Sequence, residues 1–198
     1  PVPMPVPAPT TRQPELDSDS SLQSRRVNID MARLAKRGII TPKGRRTPMA
    51  DQFRVLKRPL IDNAMGKGAS TLNHGNLIMV TSSLPGEGKT FTSMNLAMSI
   101  AAELDNTVML VDADVARPSV LRRLGLDSGP GLLDVLEGKA TVPGCLMRTN
   151  IDKLTLLPSG TPHPRATELL ASDLMRDLLA DMANRYPDRI IIFDSPPL

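Results

Sequence analysis

The sequence predicts an α/β fold in which a parallel sheet is covered by helices on both faces. Two observations predict it. Runs of four apolar residues alternate along the chain with segments in which apolar residues recur at the spacing of a helix. Each run is apolar throughout rather than alternating, which is typical of strands buried on both faces of a parallel sheet.

The predicted strands and helices alternate from residue 77 onwards. Strands are predicted at residues 77–80, 108–111, 154–157 and 190–193. Helices are predicted at residues 30–37, 48–60, 90–104, 118–124, 131–136, 167–171 and 173–184. Phe53, Leu56 and Leu60 recur at helical spacing, so we expect them to share one face of their helix.

The composition divides the chain into three parts. Residues 1–24 are rich in Pro and Ser and poor in apolar side chains, which predicts a disordered leader. Residues 25–75 form a basic helical collar, and residues 76–198 form the α/β domain. The collar suits an anionic surface, meaning phospholipid head groups, nucleic acid or an acidic partner. The alternative is a solvated helix that helps subunits to associate.

Several classes of protein are excluded or disfavoured. Cys145 is the single cysteine, so neither an internal disulfide framework nor a cysteine-based metal site is possible, which favours a reducing, cytoplasmic compartment. No apolar run approaches the ~18–20 residues of a membrane span, and no signal-peptide pattern is present. The chain starts with Pro1 rather than Met and stops at Leu198, so we expect both ends to be cuts in a longer polypeptide.

Residues 83–90, Ser-Leu-Pro-Gly-Glu-Gly-Lys-Thr, lie between the strand at 77–80 and the following helix. They have the spacing of a P-loop, Gly-x4-Gly-Lys-[Ser/Thr], with Ser83 in place of the first glycine. Pro85 and Gly86 shape the turn, and the backbone N–H groups of residues 86–90 are expected to surround phosphates at the start of the helix. We expect Lys89 to reach the β- and γ-phosphates of a nucleoside triphosphate and the Thr90 hydroxyl to ligate Mg²⁺.

Two acids, Asp112 and Asp114, follow the strand at 108–111, at the edge where open α/β sheets bind ligands. Both side chains face the same crevice if the strand persists that far. One carboxylate is then expected to hold Mg²⁺ and the other to accept a proton from an attacking hydroxyl. The alternative for Asp114 is that it caps the following turn. A third acid, Asp194, ends the apolar strand at 190–193 in the form of a Walker B motif directed at Mg²⁺.

Together these three motifs, at residues 83–90, 108–117 and 190–197, resemble those of the bacterial tyrosine kinases (BY-kinases, CpsD/CapB type) of capsule and exopolysaccharide synthesis. The resemblance covers residues 48–198 and is strongest to the tyrosine autokinases of PEP-CTERM/exosortase loci. Residues 53–60, 76–82 and 167–172 carry that subgroup resemblance. The related MinD and ParA ATPases have a signature lysine where this chain has Leu84.

The resemblance implies ATP and Mg²⁺ as cofactors and phosphoryl transfer to tyrosine. It also implies a ring-like homo-oligomer and a membrane polysaccharide co-polymerase as partner, at the inner face of the plasma membrane, with no nucleic acid expected. It assigns the catalytic residues Lys89, Asp112, Asp114 and Asp194, and the metal ligands Thr90, Asp112 and Asp194. It assigns nucleotide binding to Ser83, Pro85, Gly86, Glu87, Gly88, Lys89, Thr90, Phe91 and Arg117. Lys89 stabilises phosphate charge, Asp114 is the candidate base, and Arg117 holds the acidic loop or the neighbouring subunit.

The sequence departs from that family in three respects. The family's oligomer helix carries Glu-x-x-Arg-x-x-Arg, where this chain has Asp51, Arg54 and Lys57. The chain stops just after the third motif, whereas the family continues with further sheet, a base-recognition segment and a tyrosine cluster. Tyr186 is the only tyrosine, and we expect it to be structural. Two alternatives therefore stay open: a MinD/ParA-like ATPase switch, and a non-catalytic nucleotide-binding co-polymerase scaffold.

Overall fold

A computed structural model of the protein describes residues 24–68 and 72–198, so the predicted leader, apart from Ser24, lies outside the described residues. The strands are β1 (Arg25–Arg26), β2 (Leu77–Val80), β3 (Thr107–Asp112), β4 (Met147–Arg148), β5 (Leu154–Leu157) and β6 (Arg189–Asp194). The helices are α1 (Met31–Lys36), α2 (Pro48–Ala64), α3 (Lys89–Ala101), α4 (Val120–Leu124), α5 (Leu132–Leu136), α6 (Val142–Cys145), α7 (Ala166–Leu170) and α8 (Asp173–Arg185). None of these helices is long and apolar enough to cross a membrane.

The strands form one six-stranded sheet in the order β1-β4-β5-β3-β6-β2. The four strands predicted from the sequence are its parallel part, since β3 pairs with β5 and β6, and β6 pairs with β2. The two-residue strands β1 and β4 are not predicted, because so short a segment shows no hydrophobic pattern. β4 runs antiparallel to β5, so the sheet is mostly parallel and mixed at this edge.

Helices cover both faces of the sheet, as predicted. Val108 and Leu110 of β3 pack in a cluster with α1, α3 and α4, which we call the α3-side cluster. Met109 and Val111 pack in a second cluster with α5, α6 and α8 on the opposite face. Successive residues of a strand point to opposite faces, so a strand buried on both faces must be apolar throughout. The edge strand β2 is the exception, since the Met79 side chain is 63% exposed.

The collar packs on the same core as the rest of the chain. Ile29, Leu34 and Ile39 are buried in the α3-side cluster. Asn95 of α3 binds this segment: its Oδ1 accepts the N–H of Ile40 at 2.7 Å. Residues 25–40 and α3 are therefore one packed unit, while the functional division of the chain at residues 24 and 75 stays a prediction.

Helix α2 is longer than predicted, and the three apolar residues predicted to share a face are not equally buried. Phe53 and Leu60 pack against the α3-side cluster, but Leu56 is 47% exposed. The residue that turns inward is Lys57, which is 5% exposed. The collar therefore has one fewer basic side chain at its surface than the sequence suggests, because the Lys57 side chain is buried.

Lys57 and a second lysine bind the C-terminal end of α3. The Lys57 ammonium donates to the Ser99 carbonyl at 2.6 Å and pairs with the Glu103 carboxylate at 2.6 Å. The Lys153 ammonium donates to the Glu103 carbonyl at 2.5 Å and to the Leu104 carbonyl. The last four carbonyls of a helix have no partner within it, and Lys57 gives a donor to one of them, that of Ser99. Lys153 binds the carbonyls of the two residues that follow the C-cap.

A buried asparagine, Asn76, joins β2 to the segment that precedes β6. Its side-chain amide donates to the backbone carbonyls of Ala183 and Tyr186 at 3.2 and 3.3 Å. The backbone carbonyl of Asn76 accepts the N–H of Ile191 at 2.8 Å. The residue is 6% exposed, so water cannot easily replace these bonds. The amide therefore fixes where the end of α8 meets the sheet.

We expect Asn76→Ala to lower the free energy of unfolding by about 1–3 kcal/mol, since the buried Ala183 residue loses the side-chain donor to its carbonyl. The Tyr186 carbonyl keeps the N–H of Arg189 as a donor. Asn73→Ala is the matched control, because Asn73 is exposed three residues earlier. Urea denaturation of the two variants measures the difference. Equal stabilities for both would contradict a structural role for the Asn76 amide.

Candidate functional site

The loop between β2 and α3 has the backbone form of a phosphate-binding loop. Gly86 and Gly88 have φ angles of 87° and 96°, values that side-chain-bearing residues rarely adopt. The first helical hydrogen bond runs from Thr92 N–H to the Gly88 carbonyl at 2.8 Å. The N–H groups of Lys89, Thr90 and Phe91 precede that donor, so they are free to bind an anion at the start of α3.

Glu87 stabilises the loop from within. Its carboxylate accepts the Leu84 N–H at 3.0 Å, and the Ser82 hydroxyl donates to the Leu84 carbonyl at 2.8 Å. The Leu84 side chain is 63% exposed. The structure therefore gives the Glu87 side chain a role in loop shape, leaving its backbone for the predicted contact with nucleotide.

Asp112 and Asp194 end the neighbouring strands β3 and β6 and are paired in register. One oxygen of each carboxylate is already bound: Asp112 Oδ2 accepts two backbone N–H groups, and Asp194 Oδ1 accepts the Ser93 hydroxyl at 3.2 Å. The other two oxygens, Asp112 Oδ1 and Asp194 Oδ2, are buried without a hydrogen-bond partner among the described residues. Two buried carboxylate oxygens without donors are suited to a hard divalent cation.

The electrostatics of the pair support the same conclusion. Burial raises the pKa of Asp112 from 3.8 to about 7; the Val120 N–H opposes this shift and the charge of Asp194 adds to it. Burial also raises the pKa of Asp194, against the hydroxyls of Thr90 and Ser93. Two buried anions side by side are costly unless a cation compensates them. The residues present therefore fit the Mg²⁺ that the motifs predict.

Thr90 is the third predicted metal ligand. Its Oγ1 lies 3.2 Å from the Ser119 hydroxyl oxygen. Its hydroxyl also lowers the pKa of Asp194, so the two side chains are close. The structure thus brings together the three predicted metal ligands from α3, β3 and β6. No group of three or more His, Cys, Asp or Glu side chains suited to a metal occurs within residues 24–68 and 72–198. The protein alone offers few ligands, which is usual for Mg²⁺ sites shared with phosphates.

Asp114 caps the turn that follows β3, which is the alternative considered for it. β3 ends at Asp112, so the condition that the strand continues to Asp114 is not met. Asp114 instead caps a turn, its Oδ1 accepting the Arg117 N–H at 3.2 Å. Its charge still raises the pKa values of Asp112 and Asp194, so it lies near both. Arg117 holds the acidic loop through its backbone, and its side chain is exposed.

The remaining predicted residues fall into two groups. Ser83, Pro85, Gly86, Gly88 and Lys89 lie in or directly after the loop, as the motif requires. The Phe91 side chain packs against the α3-side cluster, so its backbone N–H alone is placed for a nucleotide. Ser93, which donates to Asp194, and Ser119, which donates to Asp112, are not predicted from the sequence. Ser93 is detectable from sequence, since it lies one helical turn after Lys89 and Thr90.

The parallel sheet, the loop and the acids at its carboxyl edge define a nucleotide-binding protein of the P-loop class. No protein-family model matches the chain. The tyrosine-protein kinase YwqD of Bacillus subtilis is 36% identical over 121 residues, which are 61% of this chain and 50% of YwqD. The VpsO kinase domain is 32% identical, with a TM-score of 0.56 over 76% of this chain and 73% of that domain. The chain therefore belongs to the bacterial tyrosine kinase family.

A second solved structure supports the fold. The kinase domain of the Escherichia coli tyrosine kinase ETK is 26% identical, with a TM-score of 0.63 over 83% of this chain and 72% of that domain. The chain spans about half the length of YwqD, so the match does not by itself assign the activity of YwqD to this chain. The family and the fold are established by these likenesses, and the activity of this chain is a proposal.

Proposed function

We propose that the protein is an ATP- and Mg²⁺-dependent protein-tyrosine autokinase that regulates exopolysaccharide biosynthesis or export. The observation that carries the proposal is the pair of donor-free carboxylate oxygens on Asp112 and Asp194, beside Thr90 at the start of α3. A phosphate loop alone supports any nucleotide-binding function. The acidic pair next to it supports metal-assisted phosphoryl transfer.

The proposed mechanism assigns a role to each group. The N–H groups at the start of α3 bind the phosphates, and Lys89 compensates the charge on the transferred phosphoryl group. Thr90, Asp112 and Asp194 hold Mg²⁺, which neutralises phosphate charge when bound. Asp114, on the turn after β3, accepts the tyrosine hydroxyl proton as the phenolic oxygen bonds to the γ-phosphorus and ADP leaves.

Tyr186 is not suited to be the acceptor. It precedes β6 at the amino edge, and the site lies at the carboxyl end of that six-residue strand, roughly 20 Å away. Its ring packs against the second cluster, and the Arg189 guanidinium lies 4.8 Å from the ring centroid. The proposed acceptor is therefore a tyrosine outside this chain, on a longer form of the polypeptide or on a partner.

The partners, location and subgroup are proposals of the same kind. We infer a membrane polysaccharide co-polymerase as partner, a ring-like homo-oligomer and a peripheral position at the inner face of the plasma membrane. The exposed side chains of Arg54 and Arg58 on α2 suit such contacts, whereas the buried Lys57 cannot make them. Residues 53–60, 76–82 and 167–172 support the subgroup of PEP-CTERM/exosortase loci.

The test is phosphotyrosine formation by the full-length protein with ATP and Mg²⁺. We expect Lys89→Met to reduce labelling by about 100-fold or more, because the phosphate charge loses its compensation. Lys36→Met is the control, since Lys36 is exposed on α1, outside the loop.

Each rival function has its own result. ATP hydrolysis without phosphotyrosine favours the MinD/ParA-like switch, and nucleotide binding with neither reaction favours the scaffold. Undiminished labelling by the Lys89→Met variant contradicts the assignment of the site.

A further inference from the structure

We propose that Ser119 is a positioning residue of the metal–nucleotide site, an inference that rests on the proposed function. Its hydroxyl oxygen lies 3.2 Å from Thr90 Oγ1, and its backbone N–H donates to Asp112 Oδ2 at 3.0 Å. One residue that is not itself a ligand thus contacts two of the three ligands. Thr90 is on α3 and Asp112 ends β3, so Ser119 joins two separate elements at the site.

Ser119 is itself held in place. It is 9% exposed and immediately precedes α4, whose residues Val120 and Leu124 are 1% and 2% exposed in the α3-side cluster. The N–H of Val120 also donates to Asp112 Oδ2 at 3.0 Å. A polar group anchored by adjacent buried side chains keeps its geometry before ligand arrives, which is what a positioning residue requires.

The contact with Thr90 has a chemical consequence for metal binding. A hydroxyl that gives a lone pair to a cation has to direct its proton elsewhere, and its side-chain rotamer must match that direction. Thr90 Oγ1 lies within hydrogen-bond distance of the Ser119 hydroxyl oxygen. Without the Ser119 hydroxyl, Thr90 has one partner fewer, and its oxygen is less restricted to the ligating position.

Ser119 also fixes one end of the acidic loop, residues 113–118. The other end is fixed where the Ala113 N–H donates to the Asp194 carbonyl at 2.9 Å. The loop that carries Asp114 and Arg117 is therefore tied at both ends to residues that bind the metal. A metal held by Thr90, Asp112 and Asp194 then restricts the acidic loop as well, through Ser119.

The experiment compares Ser119→Ala with Ser119→Thr, which keeps the hydroxyl, and with Ser128→Ala at an exposed serine. The affinity of each variant for fluorescent mant-ADP is measured with MgCl₂ and with EDTA. We expect Ser119→Ala to weaken binding by about three- to tenfold with MgCl₂ and to leave binding in EDTA within about twofold, as the loss of one hydrogen bond predicts. Ser119→Thr should restore the MgCl₂ value, and Ser128→Ala should match the parent throughout.

Hydrogen exchange of the nucleotide-free protein gives a second readout. We expect faster exchange at residues 113–120 in Ser119→Ala and parental exchange in Ser119→Thr. An unchanged effect of MgCl₂ in Ser119→Ala overturns the role of Ser119 while the nucleotide site stands. Equal weakening in both buffers overturns it too, because that result indicates a purely structural residue. A parent protein whose mant-ADP affinity ignores MgCl₂ overturns the proposed metal site and this inference together.

Discussion

At pH 8, the nucleotide-free Asp112→Asn variant is expected to be more stable than the parent by about 2–4 kcal/mol. The reason is that burial makes the charged form of Asp112 costly and raises its pKa from 3.8 to about 7. Asparagine is neutral, and its side-chain oxygen can still accept the N–H groups of Ser119 and Val120 at the position of Asp112 Oδ2. Its amide can donate towards Asp194, whose Oδ2 has no donor among the described residues.

The pH dependence of the parent follows from the same shift. A carboxyl group whose folded pKa exceeds its unfolded pKa binds more protons in the folded state, so stability falls as pH rises between the two values. For Asp112 this window runs from 3.8 to about 7. Urea denaturation at several pH values in that window should show a decline in the parent that is smaller in Asp112→Asn, where Asp194, whose pKa is also raised, still contributes. A decline of equal size in both proteins would assign it to other groups.

The gain in stability should come with a loss of function. Asp112→Asn removes one of the two carboxylates proposed to bind Mg²⁺, so we expect nucleotide binding to lose most of its dependence on the metal. Binding of mant-ADP with MgCl₂ and with EDTA measures this loss. Retention of the full Mg²⁺ effect would show that Asp112 is not a ligand.

The second large effect is expected for Lys57→Met, which should lower the free energy of unfolding by about 2–4 kcal/mol. Methionine fills a similar volume but gives no donor to the Ser99 carbonyl and no charge to Glu103. The Glu103 side chain is 43% exposed and regains water, which limits the cost. Ser99 is 5% exposed, so its carbonyl is less able to do so.

Arg58→Met is the matched control for this variant, since it removes the adjacent basic side chain from the exposed face of α2. Chemical denaturation of both variants gives the comparison. We expect Arg58→Met to stay within about 0.5 kcal/mol of the parent. Similar losses for both would mean that the basic character of α2, rather than the buried contact, stabilises the fold.

The fold was predictable wherever a local pattern coincides with the tertiary environment. The centres of β3 and β6 are apolar throughout because both of their faces are buried, so the sequence of residues 108–111 reveals its surroundings directly. The strands β1 and β4 have two residues each; β4 depends on pairing with β5, and β1 on pairing with β4, which no local pattern shows. Lys57 was assigned to a basic surface, because its partners Ser99 and Glu103 are more than forty residues away in the chain.

The candidate site was predictable to the extent that its residues follow fixed spacings. Lys89 and Thr90 follow from the loop, and Asp112 and Asp194 follow from the ends of apolar strands. The position of Asp114 depends on where β3 ends, which spacing alone does not determine. Ser119 acts through a contact across 29 residues of chain, so only the folded structure reveals it.

Helix α3 has charge-binding groups at both of its ends. Its 13 residues span about 20 Å, with phosphate-binding N–H groups at one pole and the ammonium groups of Lys57 and Lys153 at the other. Cations at the C-terminal pole and anions at the N-terminal pole are each favoured by the helix macrodipole. Because Lys57 is buried, salt screens its charge poorly. These two lysines therefore stabilise the helix that carries the N–H groups, from the end opposite the loop.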